Sequence, residues 1–191
     1  MQKKNKIFVS LDTRKSYVLE KSLPLKIDLL NDVSGLEYDY KIIKILKKSK
    51  IPFVLHHMQG TPKTMQKNPK YKNVLLDIYD FFEKGIKKIH NKKIVIDPGI
   101  GFGKNLKHNL TLISRISLFH SLGLPILIGT SRKRFISQIS GKNDSKERIG
   151  GTIASILFLL SQGVQVFRVH NVNEVKQGIL VFKKILSNFK N

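Results

Sequence analysis

Six times along this chain a short apolar run gives way to a longer segment, and that rhythm admits few folds. The runs are Ile7 to Leu11, Ile27 to Leu30, Phe53 to Leu55, Ile94 to Ile96, Ile126 to Ile128 and Val164 to Val169. Strands that alternate with helices pair in parallel, because each helix carries the chain back to where the next strand begins. The predicted helices are Arg14 to Ser22, stopped by Pro24, then Tyr38 to Lys48, Asn73 to Ile89, Leu106 to Ser121, Arg148 to Ser161 and Val172 to Leu186. In the second of these, Ile42, Ile43, Ile45 and Leu46 fall on one face. Met58 to Lys70 is a long loop with Gly60, Pro62 and Pro69, and Gly141 to Lys146 a polar link. With 41% hydrophobic residues among 191, the chain can bury one substantial core. The expectation is a single α/β domain over residues 1–191, with about six parallel βα units.

Every strand ends in polar or ionisable residues: Asp12; Asn31 and Asp32; His56 and His57; Asp97; Arg132 and Lys133; Arg168 and His170. One such residue is commonly a helix cap. A set at all six ends points to one shared site at the top of a barrel or open sheet.

The most informative of these ends is Ile94 to Lys104, IVIDPGIGFGK. Three β-branched residues in a row suit a strand covered on both faces, and Asp97 stands where it stops. Pro98 and three alternating glycines then turn the chain sharply and let backbone approach a ligand. The spacing is neither a P-loop, since Asn105 follows Lys104, nor the G-x-G-x-x-G of dinucleotide folds.

Composition removes several classes. Cysteine is absent, which excludes disulfides, thiolate zinc and cysteine nucleophiles and fits a reducing cytoplasm. No stretch approaches the roughly 20 apolar residues of a membrane span, and the basic start MQKKNKIFVSLD loses its apolar run at Asp12. Thirty-five basic against 13 acidic residues give +22, which would suit nucleic acid or an anionic substrate. The lysines are spread over almost every helix with no arginine-rich arm, so solvated helix faces explain most of the excess.

Asp12, Asn31 and Asp97 can pair with the ring N–H and amino groups of a flat nitrogen heterocycle. Lys133, Arg168 and His170 form a cationic side suited to a phosphate or pyrophosphate. Taken singly, Arg168 also reads as a strand-end salt bridge and His170 as a core histidine.

The motifs SLDT (Ser10 to Thr13), NDVSG (Asn31 to Gly35), HMQGTPKTMQ (His57 to Gln66), DPGIGFGKN (Asp97 to Asn105), GTSRKRF (Gly129 to Phe135) and RVHNV (Arg168 to Val172) resemble, in order, those of the dihydropteroate synthases. The resemblance implies a TIM-type (β/α)8 barrel, here incomplete. It implies condensation of a hydroxymethyl-dihydropterin diphosphate with 4-aminobenzoate, giving dihydropteroate and pyrophosphate in folate biosynthesis. Carried over from that family, Asp12, Asn31, Asp97, Lys133 and Arg168 hold the pterin, and Arg168 and His170 the pyrophosphate. Phe102, Lys133 and Arg134 face the aminobenzoate. Asp97, Lys133 and Arg168 are the residues closest to the chemistry. The resemblance also implies magnesium, whose family asparagine ligand lies in a motif absent here, a cytoplasmic location and commonly a homodimer.

Three positions depart from the family: His56 stands where methionine is common, Arg134 where serine is common, and Asn171 where aspartate is usual. The family's first two strands have no counterpart, so the expectation is little activity without a segment that supplies them, such as a separate N-terminal fragment. Competing readings are an inactive pterin-binding remnant, a related pterin-barrel methyltransferase and a basic nucleic-acid-binding module.

Overall fold

A computed structural model describes residues 7–89 and 93–189. Strands β1 (Ser10–Asp12), β2 (Leu29–Asp32), β3 (Phe53–His56) and β4 (Ile94–Asp97) form one parallel sheet in sequence order. Strands β5 (Leu127–Ile128) and β6 (Val166–Phe167) pair in parallel beside it. The Ile96–Ile126 bridge joins the two groups. Helices α1 (Ser16–Ser22), α2 (Lys41–Ser49), α3 (Val74–Ile89), α4 (Leu106–Ser114), α5 (Arg134–Ser140), α6 (Ile149–Ser161) and α7 (Val172–Phe189) follow the strands, one after each except β5, which α5 and α6 both follow. Each helix packs on the next in order from α1 to α7. The strands do not close on themselves, so the architecture is an incomplete barrel of six βα units, as expected.

Burial explains the strands. All four residues of β3 are buried, and Leu30, Phe53, Leu55 and Ile96 meet Ile42, Ile78 and Phe82 of the helices in one core. Burying a side chain of this size contributes about 1.5–3 kcal/mol, enough for the four-residue strands β2, β3 and β4 to persist.

Several boundaries differ from expectation. Ile7, Phe8 and Val9 are exposed and lie ahead of β1, while the Val9 carbonyl accepts from the amides of both Asp28 and Leu29. Asn31 and Asp32 lie inside β2, with register partners Asp12, Val54 and Leu55. Pro24 does not stop the chain's winding. It opens a 3-10 turn, Leu23–Leu25, where a missing N–H costs nothing. The helix expected over Leu106 to Ser121 breaks at Arg115 into α4 and a 3-10 stretch, Ile116–Leu122. A three-residue period stacks Ile116 and Phe119 on one side, and both are fully buried. Helix α5 directly follows the SRK triplet, where the sequence reading places a helix without bounds, and buries Phe135 and Ile136.

Candidate active site

The C-terminal ends of the strands bring the expected residues to one mouth. Asn31 Nδ2 donates to Asp12 Oδ1 at 3.1 Å, and Arg168 Nη1 reaches Asp12 Oδ2 at 3.8 Å from the far strand β6. Asp97 is 1% exposed and faces His56 across the β3–β4 pair, with 3.9 Å between Oδ2 and Nε2. Its Oδ1 accepts the Gly99 amide at 2.8 Å, which starts the glycine turn. Lys133 Nζ lies 4.1 Å above the Phe102 ring, and that ring meets the His56 imidazole edge-on at 4.5 Å. Asp12, Asn31, Asp97, Phe102, Lys133 and Arg168 thus form one group in which acids, amide and cations are interleaved.

The glycine turn needs its glycines. Gly99 has φ +68° and Gly103 φ +63°, and an added Cβ would run into the His57 carbonyl at the first and the Gln59 carbonyl at the second. Side chains hold the carbonyls of this turn, two from residues well ahead of it and one from Lys104 at its own end. Gln66 donates to Gly101 O at 2.5 Å, Tyr71 to Gly103 O at 2.8 Å, and Lys104 Nζ to Phe102 O at 2.9 Å. Asn109 accepts from Gly101 N at 2.7 Å, and the Asn105–His108 capping box starts α4 just beyond. The Met58 to Lys70 loop is therefore fastened against the glycine turn, and Gln59 closes its base with two hydrogen bonds to Lys70.

Lys104 is the functional candidate that the sequence reading missed. Its side chain is buried, 3% exposed, and its Nζ also donates to His57 Nδ1 at 3.0 Å. Burial lowers its pKa to about 7, with Asp97 opposing and Lys133 adding to the fall. Burial together with Lys104 drives His57 down to about 2, so His57 is neutral with its proton on Nε2. The sequence held one clue, a lysine closing a glycine-rich turn without the P-loop's following hydroxyl residue.

The second cationic group is built on the SRK triplet. Ser131 Oγ lies 2.9 Å from His170 Nδ1 and accepts the His170 amide at 3.2 Å. Arg132 adopts φ +58°, a left-handed conformation that costs a non-glycine residue about 1 kcal/mol. Its amide donates to Thr152 Oγ1, Arg148 donates to its carbonyl, and its guanidinium donates twice to Asn171 Oδ1 at 3.2 and 2.7 Å. Asn171 in turn donates to Glu174 at 3.0 Å, so the negative charge on this network sits one helical turn further on. The strained turn aims Lys133 at the Phe102 ring. Burial lowers the Lys133 pKa, opposed by Asp97 and reinforced by Arg168.

Beside Phe102 a cavity of about 230 Å³ is lined by Gly101, Lys104, Asn105, Lys133, Arg134 and Gln138 among others, and none of its lining residues is acidic. Arg134 and His170 are exposed. Among the described residues no cluster of three His, Asp or Glu side chains could hold a metal ion. The described residues therefore do not make a magnesium site by themselves.

Known proteins resemble this chain in sequence and in fold. The sequence profile described as "Pterin binding enzyme" matches residues 1–170. The dihydropteroate synthase of Escherichia coli is 36% identical over 190 residues, covering 97% of this chain and 67% of that one. The Thermus thermophilus dihydropteroate synthase in complex with 6HMPPP superposes with a TM-score of 0.89 at 36% identity, covering 94% of this chain and 73% of that one. The same enzyme in complex with 4-aminobenzoate gives 0.89 at 37% identity, over 93% and 70%. This chain spans about two thirds of the length of such relatives. Motif order, strand-end chemistry and whole-chain superposition thus converge, and the chain belongs to the pterin-binding enzymes as a dihydropteroate synthase-like member.

Proposed function

We propose that this chain carries the pterin and phosphate half-sites of a dihydropteroate synthase. Asp12, Asn31 and Asp97 grip the nitrogen edge of a hydroxymethyl-dihydropterin diphosphate, while Arg168 and His170 receive the diphosphate. The C–O bond to the diphosphate breaks as the electron-rich pterin supports a cationic methylene. The amine of 4-aminobenzoate then forms the new C–N bond and sheds a proton. Lys133 and Arg168 stabilise the departing charge, and buried Asp97 offsets the positive charge on the pterin. Phe102, Lys133 and Arg134 bound the aminobenzoate side, with the acid-free cavity taking its carboxylate.

The observation that carries this reading is the meeting of two acids and an amide with Lys133 and Arg168 at one mouth. Magnesium enters only through the family, and no step here runs through it. Turnover is expected when further strands pair with the open sides of the sheet, from the same polypeptide, a separate segment or a second copy. A chain without cysteine suits the reducing cytoplasm, where we place the reaction. No helix among the described residues is long and apolar enough to cross a membrane.

Calorimetry with a pterin diphosphate tests the proposal. Asp97→Asn and Lys133→Ala should each weaken binding at least tenfold, a loss of about 1.4 kcal/mol. Equal affinity in parent and variants would refute it.

A further inference from the structure

Two buried side-chain polar atoms are left without a hydrogen-bond partner among the described residues, Asn31 Oδ1 and His56 Nε2. Native proteins seldom keep such atoms without a use for them. Both belong to the residue group described above and are closed off from solvent, so a ligand reaches them once the side chains over them move, and that of His56 belongs to a residue with no role in the proposed reaction.

The protonation of His56 follows from its neighbours. Its Nδ1 lies 3.1 Å from the Val33 carbonyl, which can only accept, so Nδ1 carries the proton. Burial keeps the ring neutral against the pull of Asp97, and the positive charges of Lys104 and Arg168 act in the same direction as burial. Nε2 is then a bare lone pair, 3.9 Å from Asp97 Oδ2 and too far for a bond between the two. The ring cannot swing away. Phe102 packs against it at 4.5 Å, and Gly99 crowds Cε1 so closely that an added Cβ would sit 3.1 Å from it.

We propose that His56 is a substrate-positioning residue whose Nε2, with Asp97 Oδ2, forms a notch of two acceptors that takes an N–H donor of the pterin ring. This rests on the pterin reading and adds to it a residue that acts by selecting donors. The lactam N–H and its adjacent amino group are the neighbouring donors such a notch demands. A ring presenting a lone pair or an N-methyl there would leave two buried acceptors facing nothing, which is how a polar site rejects a near-isostere.

The test uses the whole chain with histidine labelled in nitrogen-15. On saturation with a pterin diphosphate, the His56 Nε2 resonance, of the unprotonated type in the free protein, should move in the direction of an accepted hydrogen bond. His56→Met, which keeps bulk and removes the acceptor, should weaken that ligand about tenfold. It should also shrink the parent's preference for the diphosphate over its N-methylated lactam analogue by a similar factor. If the parent binds the diphosphate while the Nε2 resonance stays in place, His56 has no such role and the pterin reading stands. If the parent does not bind the diphosphate at all, both fall. The resonance is read on the parent, so the outcome does not depend on the variant folding.

Discussion

The two flanks of the mouth are built to different standards. On the inner flank, β3 and β4 are paired over their full length, Asp97 and His56 are buried, and Gln66 and Tyr71 from another part of the chain hold the glycine turn. On the outer flank, β1 has three residues and β6 two. Across that side runs the Arg168–Asp12 pair at 3.8 Å, with side chains 40% and 63% exposed. A pair so exposed contributes at most about 1 kcal/mol and weakens in salt. The inner flank is therefore preorganised by its own packing, and the outer one depends on whatever pairs with its edges.

Gly99→Ala should have the largest effect, because it adds both a left-handed penalty and a collision with the His57 carbonyl in the best-built part of the molecule. A loss of about 3 kcal/mol or more in urea unfolding is expected. The same substitution at Gly141, left-handed but with open space around it, should cost only about 1 kcal/mol. If the two losses proved equal, crowding at the inner flank would be no special constraint.

Lys104→Met comes next, read through pH. The folded-state pKa near 7 lies below the unfolded value of 10.5, so between them the unfolded chain binds the extra proton. Stability then rises with pH through that window, by up to about 1.4 kcal/mol per unit from this one group. The cost of the buried charge is felt below pH 7. Denaturation midpoints of the parent should climb from pH 7 to 9 relative to Lys104→Met. A parallel pair of curves would mean that Lys104 is not buried as described.

Ligand affinity sharpens the contrast further. Asp97→Asn should weaken a pterin diphosphate about 100-fold and exposed Asp12→Asn only about tenfold, the difference coming from the screening of an exposed carboxylate. Raising salt should erode the Asp12 effect and leave that of Asp97. The smallest change is expected from Asn171→Ala. It removes the acceptor for Arg132 in a part-exposed network, so about 1 kcal/mol of stability should be lost. Thermal unfolding checks this.

Much of this site could be read from residue order. The strand-end positions of Asp12, Asn31, Asp97, Lys133 and Arg168 follow from a short apolar run stopping at polar residues, and the fold brings all five to one mouth. What periodicity could not give was depth. Lys104 and Lys107 look alike in the sequence, yet one is buried and the other exposed, because only the first lies under the turn that His57 and Phe102 frame. The bounds of helix α5 escaped notice because seven residues carry too little pattern, and the break at Arg115 because an apolar spacing of three suits both kinds of helix. The family resemblance supplied the substrate names, which no spacing contains.

Because the turn bearing Phe102 is anchored at successive carbonyls by Gln66, Lys104 and Tyr71, its aromatic wall stands in place before any guest arrives. An arriving arylamine would spend none of its affinity on quieting that wall. The opposite rim rests instead on the exposed Arg168–Asp12 pair, so the two sides of the mouth start from unequal support.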